Sequence, residues 1–260
     1  KGETYTLVEQ LGASDVNRFT LCNPYESDEV YLLDRHDGTK SSIQLINQST
    51  DELELLYTNE DFGLGNEYSR ANLIGTSQDT TTTLVVYNSS NELYSTTDFG
   101  ETWNLKGQMP TSPWSVGVYM SPSNPDFLMY GDIECYVSPN GGEQWNKVNS
   151  WGDYYGDVEH SLHADLMYFN EFQKSTGENF LLISNHGRLS VSYDYMNNRN
   201  NLGLLGLNVS QYYSVRTDPI LPSFVYAGSQ DQGFQRGFTF SNNEIMPFDQ
   251  VISGDYGHIV

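Results

Sequence analysis

The segment GDYYGDVEHSLHAD, residues 152–165, concentrates imidazole and carboxylate side chains in a chain that has only five histidines. Imidazole and carboxylate groups bind divalent cations and transfer protons. His160, His163 and Asp165 are therefore candidate ligands of a divalent metal. The commoner arrangement is a histidine that bonds to a carboxylate and only organises a loop, so the sequence establishes no cofactor.

Two aspartates in glycine-containing turns, Asp231 in SQDQG and Asp255 in SGDYG, are the candidate catalytic pair. Two carboxyl groups that flank a glycosidic bond serve as acid and base in glycoside hydrolysis. Aspartate is also an ordinary turn residue, and that alternative stays open. Further candidate ligand contacts are His186 in SNHGR and aromatic rings that either stack on sugars or pack between sheets. These aromatic residues are Trp114, Trp151, Tyr154 and Tyr155.

The common catalytic signatures are absent from the sequence. It has no glycine-rich phosphate loop, no Gly-x-Ser-x-Gly, no His-Glu-x-x-His and no Cys-x-x-Cys. Its 34 acidic and 12 basic residues give a net charge of -22, and such a surface repels nucleic acid and anionic lipid. No apolar run approaches the roughly 18 residues of a membrane span. We therefore expect neither a nucleic acid partner nor a membrane-spanning segment, and we expect Cys22 and Cys135 to be buried free thiols rather than a disulfide.

The elements that must position these residues are β-strands. Short runs rich in Val, Tyr, Phe, Leu and Thr alternate with clusters of Gly, Pro, Asn and Asp, which indicates an all-β protein. The clearest unit contains WSVGVYMS, DFLMY, IECYVS and WNKV as four strands, and four antiparallel strands form one blade of a β-propeller. At about 45 residues a blade, the chain supplies about five to six blades. We predict a single domain over residues 1–260, with a last blade that lacks its outer half, as an incomplete part of a ring of about seven blades.

A turn motif connects the third and fourth strands of two neighbouring blades, as STTDFGETW at residues 95–103 and as SPNGGEQW at residues 138–145. In this motif the acidic or amide side chain accepts backbone N–H groups, glycine takes a positive φ angle, and Trp folds back onto the strands. We expect a purely structural role for it, with weaker copies at Asp61 and Asp194. Its residues are Ser95, Asp98, Gly100 and Trp103 in the first copy and Ser138, Asn140, Gly142 and Trp145 in the second.

The candidate site residues are predicted to share one face of the propeller. We place His186, Asp231 and Asp255 in turns between second and third strands. Successive hairpins of an up-and-down sheet point to opposite ends, so these turns lie opposite the motif turns. Segment 152–165 precedes the first strand of its blade and is expected on the same face as His186. The expected ligand-binding rim around Asp231 and Asp255 consists of Tyr154, Tyr155, His160, His163, Asp165 and His186.

STTDFGETW and SPNGGEQW resemble the Asp boxes, or BNR repeats, of sialidases, sortilin-like domains and xyloglucanase-like glycoside hydrolases. The stretches HADLMYF, LLISNHGRLSVSYD and VYAGSQDQG are similar to the sortilin-like and xyloglucanase-like branch. A sialidase is disfavoured because its chemistry needs clustered arginines for a substrate carboxylate, and none of the seven arginines has an Arg-Ile-Pro context.

The resemblance implies a secreted or cell-surface β-propeller that binds a protein or glycan ligand, as sortilin-like propellers bind polypeptides, within a larger secreted chain or assembly. The alternative is a glycoside hydrolase that acts on a neutral polysaccharide through paired rim carboxylates. The segment DRHDG, residues 34–38, is a poor match to the catalytic motif of the xyloglucanase-like enzymes. A pair of carboxyl groups about 5 to 10 Å apart across an open groove would favour hydrolysis over binding.

Overall fold

The computed structural model describes residues 19–24, 27–35, 41–47, 50, 52–58, 63–64, 71–113, 117–205, 212–239, 247–257 and 259. Within these residues the chain forms twenty β-strands in five four-stranded antiparallel sheets, with two short 3-10 helices at Trp151–Tyr155 and Leu202–Leu205. The all-β, four-strand-blade prediction is thus confirmed. The structure divides between Val148 and Asn149 into two compact units.

The first unit contains sheets A, B and C, in which each strand pairs with the next one along the chain. Sheet A consists of β1 (Phe19–Cys22), β2 (Val30–Asp34), β3 (Ser42–Asn47) and β4 (Glu52–Thr58). Sheet B consists of β5 (Asn72–Gln78), β6 (Thr81–Tyr87), β7 (Glu92–Thr96) and β8 (Asn104–Gln108). Sheet C consists of β9 (Val118–Ser121), β10 (Asn124–Gly131), β11 (Cys135–Ser138) and β12 (Asn146–Lys147).

The second unit contains sheets D and E, which have the same up-and-down order. Sheet D consists of β13 (Leu166–Gln173), β14 (Asn179–Asn185), β15 (Leu189–Ser192) and β16 (Asn200–Asn201). Sheet E consists of β17 (Tyr212–Thr217), β18 (Phe224–Ser229), β19 (Gly233–Phe238) and β20 (Phe248–Ile252). In such a sheet the start of the first strand and the ends of the second and fourth strands lie at the same edge.

Sheet E corrects one detail of the strand assignment. The prediction that Asp255 lies between second and third strands makes the preceding segment VIS, residues 251–253, a second strand, but Val251 and Ile252 belong to β20, the fourth strand of the sheet. This strand pairs with β19, and its Phe248 lies opposite Gly237. Sheet E is therefore four-stranded among the described residues.

The core of the first unit lies on both faces of sheet B. Successive strand residues point to opposite faces, so β6 places Leu84 and Val86 on one side and Val85 and Tyr87 on the other. Leu84 and Val86 join a buried cluster with residues of sheet A, and Val85 and Tyr87 join a second cluster with residues of sheet C. Each fully buried aliphatic side chain stabilises the fold by roughly 1.5 to 3 kcal/mol.

Three turns between third and fourth strands have the same hydrogen bonds. In the first turn the hydroxyl of Thr96 donates to Asp98 and accepts the N–H of Gly100 at 3.1 Å, and Oδ1 of Asp98 accepts the N–H of Thr102 at 3.0 Å. The second turn repeats these bonds with Ser138 and Asn140.

The third turn repeats the pattern with Ser192 and Asp194, although methionine replaces the glycine. Met196 there has a φ of 71°, in the left-handed region that Gly100 and Gly142 also occupy. The weaker copy predicted at Asp194 is therefore a turn of the same kind. The copy predicted at Asp61 lies outside the described residues.

The register of the first motif needs a correction of one residue. Ser95 was predicted to be its hydroxyl residue, but Thr96 makes the hydrogen bonds to Asp98 and Gly100. Side chains alternate along β7, so Ser95 points to the other face of the strand. Trp103 and Trp145 are half-buried and pack edge-to-face on Tyr57 and Tyr130.

Two further predictions concern cysteine and the membrane. Cys22 and Cys135 are buried and form no disulfide with each other, as predicted, and burial raises the pKa of Cys22 to about 12. None of the described helices has the length and apolar character needed to span a membrane.

Candidate functional site

Turns at one edge of sheets D and E bring five polar side chains together in the second unit. Asp165 precedes β13, His186 follows β14, Gln230 and Asp231 follow β18, and Asp255 follows β20. In each up-and-down sheet the start of the first strand and the ends of the second and fourth strands lie at one edge, and all five residues are at that edge of their sheet. We call Asp165, His186, Gln230, Asp231 and Asp255 the His186 cluster.

His186 is the central member of this cluster. Its Nδ1 lies 3.1 Å from Oδ2 of Asp165, 3.9 Å from Oδ2 of Asp231 and 2.8 Å from the side-chain amide of Gln230. With a proton on Nδ1 the imidazole donates to Asp165, and without it Nδ1 accepts the amide N–H of Gln230. The backbone N–H of His186 also donates to the carbonyl oxygen of Asp165 at 3.2 Å. The ring is therefore held in place in either tautomer.

Asp231 has a left-handed backbone conformation and is partly desolvated. Its φ of 56° lies in the left-handed region that few non-glycine residues adopt, and its Oδ2 is buried without a hydrogen-bond partner in the described structure. Burial raises the pKa of Asp231, the carboxylates of Asp255 and Asp165 add to the increase, and His163 and His186 oppose it. Such a carboxyl group is suited to bond to a ligand or to deliver a proton.

The equivalent turn of sheet C shows what an ordinary turn aspartate does. Asp132 follows β10 as Asp231 follows β18, and Oδ1 of Asp132 accepts the backbone N–H of Glu134 at 2.7 Å. The side chain of Asp132 thus closes its own turn. Asp231 instead directs Oδ2 towards His186.

Asp255 is brought close to Asp231, but not by the predicted element. It was placed in a turn between second and third strands, and the structure places it after β20, the fourth strand of sheet E. Both positions lie at the same edge of a four-stranded sheet, which is why the two aspartates still meet. Oδ1 of Asp255 accepts the backbone N–H of Asp231 at 2.9 Å. This oxygen supports the turn that carries Asp231.

One member of the cluster, Gln230, and two neighbours, Gln232 and Tyr213, were not predicted as site residues. The amide of Gln230 contacts His186, and that of Gln232 donates to the carbonyl oxygen of Gly187 at 3.3 Å. Tyr213 of β17 has a pKa that is raised by burial and by Asp255 and Asp231. The only signal in the sequence was that both glutamines flank Asp231.

His163 is a packing residue rather than an exposed ligand. Its ring is buried and stands edge-on to Tyr154 with 4.8 Å between centroids, and its Nδ1 lies 3.1 Å from the carbonyl oxygen of Ala164. A methyl group added at Gly187 would lie 2.6 Å from Cγ of His163, so the turn after β14 rests directly on this ring.

The three candidate metal ligands have different partners in the structure. The exposed His160 ring lies 3.1 Å from Asp157 through Nδ1, His163 packs on Tyr154, and Asp165 contacts His186. Each of the three candidates is thus directed to a different partner. Among the described residues no group of three or more His, Cys, Asp or Glu side chains is placed to hold a metal ion.

The aromatic candidates divide into buried and exposed rings. Tyr154 is buried under His163, in agreement with the packing alternative. Trp151 and Tyr155 are exposed at either end of the first 3-10 helix, with 6.2 Å between ring centroids. Tyr155 also lies 6.4 Å from the ring of His163. Trp114 lies outside the described residues.

Solved structures with a similar fold are β-propellers. A GH74 enzyme from Niastella koreensis is 14% identical, with a TM-score of 0.52 over 89% of this chain and 38% of that chain. A GH74 xyloglucanase from Xanthomonas campestris is 14% identical, with a TM-score of 0.47 over 93% of this chain and 40% of that chain. An auxiliary nutrient binding protein from Bacteroides thetaiotaomicron is 9% identical, with a TM-score of 0.49 over 80% of this chain and 55% of that chain.

These likenesses concern the fold alone, because all three identities are low. No protein-family model and no curated protein matches the chain. The chain is an all-β protein of the β-propeller class. It spans about two fifths of the length of the two GH74 chains.

Proposed function

We propose that the chain is a ligand-binding module and that its ligand, a protein or a glycan, contacts the His186 cluster. The observation that carries this proposal is the buried Oδ2 of Asp231, which has no hydrogen-bond partner in the described structure, whereas Asp132 in the equivalent turn is satisfied. A buried polar atom without a partner costs about 1 to 3 kcal/mol. A ligand hydroxyl or amide N–H would remove that cost.

Exposed aromatic rings beside the cluster support this function. Tyr213 lies close enough to Asp231 and Asp255 for their charges to raise its pKa, after the effect of its own burial. Tyr155, which is 68% exposed, stands near His163 and forms a pair with Trp151. Exposed Tyr and Trp rings contribute large contact areas to both sugars and polypeptides.

We assign the chain to the Asp-box family, in its sortilin-like and xyloglucanase-like branch, and place it outside the cell or at the cell surface within a larger chain or assembly. The hydrogen bonds shared by the turns at Asp98, Asn140 and Asp194 support the family. The composition supports the location, because 34 acidic residues face only 12 basic ones.

Glycoside hydrolysis is the second candidate function, and the raised pKa of Asp231 favours it. A general acid for glycosidic bond cleavage needs a carboxyl group that stays protonated at mild pH. Burial shifts the pKa of Asp231 upwards, in the direction that a general acid needs, and Asp255 would be its partner. Binding is preferred because one oxygen of Asp255 already holds the backbone of Asp231.

The test is a glycan and peptide array with the wild-type protein and Asp231→Asn. Asn tolerates the left-handed backbone and keeps the size of the side chain, so the variant should fold. We expect the affinity for array ligands to fall tenfold or more without a lower melting temperature. Asp132→Asn is the matched control in the equivalent turn and should bind like the wild type.

Release of reducing sugar from neutral polysaccharides separates the two functions. Turnover that Asp231→Asn abolishes while binding persists would identify a hydrolase and contradict the preferred function. If Asp231→Asn binds with wild-type affinity and neither protein shows turnover, the His186 cluster serves neither ligand binding nor hydrolysis.

A further inference from the structure

A cavity of about 570 Å³ lies in the first unit, between the outer strand of sheet A and the motif turn of sheet B. Tyr57, Tyr94 and Trp103 form its aromatic lining, and Leu55 and Leu105 belong to its opposite walls. We call this cavity the β4 groove. Its volume is in the range of sites that hold ligand groups. None of its lining residues belongs to the His186 cluster, so the groove is independent of the function proposed above.

The groove is open because of one side chain. Tyr57 and Leu55 pair with Ile43 and Gln44, so Leu56 between them forms a β-bulge, a feature that redirects a side chain. Leu56 meets the motif turn of sheet B, and a methyl group added at Gly100 would lie 3.2 Å from its Cβ. The turn therefore rests on a leucine side chain and stays at a distance from the backbone of β4.

The neighbouring pair of sheets shows the closed alternative. At the junction of sheets B and C, a methyl group added at Gly107 of β8 would lie 2.5 Å from the carbonyl oxygen of Gly142. The motif turn of sheet C thus rests directly on the backbone of β8. The same kind of turn meets Gly107 in one place and Leu56 in the other, and this difference in sequence opens the groove beside β4.

The chemistry of the groove is apolar inside and anionic at the rim. Leu55 is 59% exposed and Leu105 is 58% exposed, so both walls present aliphatic surface to an occupant. Glu101 is exposed at the rim, and no lysine or arginine is among the lining residues. A large apolar side chain that is flanked by cationic residues matches this distribution.

The backbone of β4 adds a second recognition element. Among the described strands β4 pairs only with β3 and forms the outer edge of sheet A, so its outward backbone groups can pair with an added strand. Glu52 and Glu54 are exposed on this strand, which extends the negative charge along its edge. A strand at the edge of a sheet favours an extended polypeptide over a sugar.

We propose that the β4 groove binds an extended peptide of another protein, with one large apolar side chain seated between Leu55 and Leu105 and an adjacent lysine or arginine near Glu101. The main chain of the peptide pairs with β4. The aromatic lining of Tyr57, Tyr94 and Trp103 contacts the apolar side chain. The negative charge at the rim favours lysine or arginine beside it in the peptide.

The probe is a set of synthetic peptides with a central Leu, Ile or Phe between two lysines, together with sets in which glutamate replaces lysine or alanine replaces the central residue. Binding to the whole chain is measured by fluorescence anisotropy. We expect the lysine-flanked apolar peptides to bind best. The double variant Leu55→Glu, Leu105→Glu should weaken them at least tenfold, and it should fold because both side chains are largely exposed.

A charge reversal gives the sharper test. Glu101→Lys should reverse the preference, so that glutamate-flanked peptides bind better than lysine-flanked ones. Glu143→Lys is the matched control, because Glu143 is exposed at the equivalent position of the motif turn in sheet C, where the junction is closed. This control should keep the wild-type ranking.

Three outcomes would overturn the proposal: no preference for lysine-flanked peptides in the wild type, an identical change of ranking in Glu101→Lys and Glu143→Lys, or displacement of bound peptide by neutral oligosaccharide. None depends on the His186 cluster, so Asp231→Asn should bind these peptides normally. A loss in Asp231→Asn would be a fourth such outcome, because it would show that the peptides bind elsewhere.

Discussion

The backbone N–H of Asp231 donates a hydrogen bond of 2.9 Å to Oδ1 of Asp255, so a residue that follows β20 supports the turn between β18 and β19. Only β19 separates β18 from β20 in sheet E, and both strands end at the same edge. This contact supports the left-handed backbone of Asp231, whose side-chain Oδ2 faces His186. Asp255 is thereby a positioning residue for Asp231.

Substitution of Asp255 should distinguish a supporting role from a catalytic one. Asp255→Ala removes the acceptor of the Asp231 N–H and should lower the free energy of unfolding by about 0.5 to 1.5 kcal/mol. Asp255→Asn keeps an oxygen acceptor and should retain most of this stability and all ligand affinity. Urea unfolding and the array assay measure the two effects. Equal stability of the Asn and Ala variants would contradict the supporting role.

The ionisation of Asp98 should make stability depend on pH in the acid range. Hydrogen bonds from Thr102 and Thr96 lower the pKa of Asp98 to about 2. A lowered pKa stabilises the folded state above the unfolded value of about 3.9, and this contribution disappears as the pH falls towards 2. Asp98→Asn cannot ionise, and Asn140 shows that the turn accepts asparagine. The stability advantage of the wild type over Asp98→Asn should shrink between about pH 4 and pH 2, as measured by urea unfolding.

The contribution of Asp231 to the pH dependence of stability should have the opposite sign to that of Asp98. The pKa of Asp231 is raised, chiefly by burial, so the folded state favours the protonated carboxyl group over the carboxylate. The corresponding stability is present below the unfolded pKa of about 3.9 and is lost as the pH rises through the folded value. Asp231→Asn should therefore gain stability relative to the wild type as the pH is raised from about 4 towards neutrality. A constant difference over this range would mean that the carboxylate is not desolvated.

The parts of the structure that follow from local pattern were predictable. The alternation of β6 and the turn residues around Asp98 and Asn140 are local features, and they identified the blades and two of the motif turns. The neighbours of Asp231 depend on which strands pair, and a single misassigned strand moved Asp255 to the wrong connection. Gln230 carried no signal of its own, because the contact between its amide and His186 joins two sheets. The alternation of apolar and polar residues identifies a strand, but it does not show which turns of two different sheets meet.

The corrected register of the first motif gives the last prediction. Thr96→Val keeps the shape of the side chain but removes the hydroxyl that accepts the buried N–H of Gly100 and donates to Asp98. An unsatisfied buried donor costs about 1 to 3 kcal/mol, so we expect a loss of that size in the free energy of unfolding. Ser95→Ala changes the adjacent residue, whose side chain points to the other face of β7, and it should leave the turn intact. Amide hydrogen exchange at Gly100 reports on the turn directly and should accelerate in Thr96→Val alone. Faster exchange in Ser95→Ala, with normal exchange in Thr96→Val, would restore the register in which Ser95 is the hydroxyl residue of the motif.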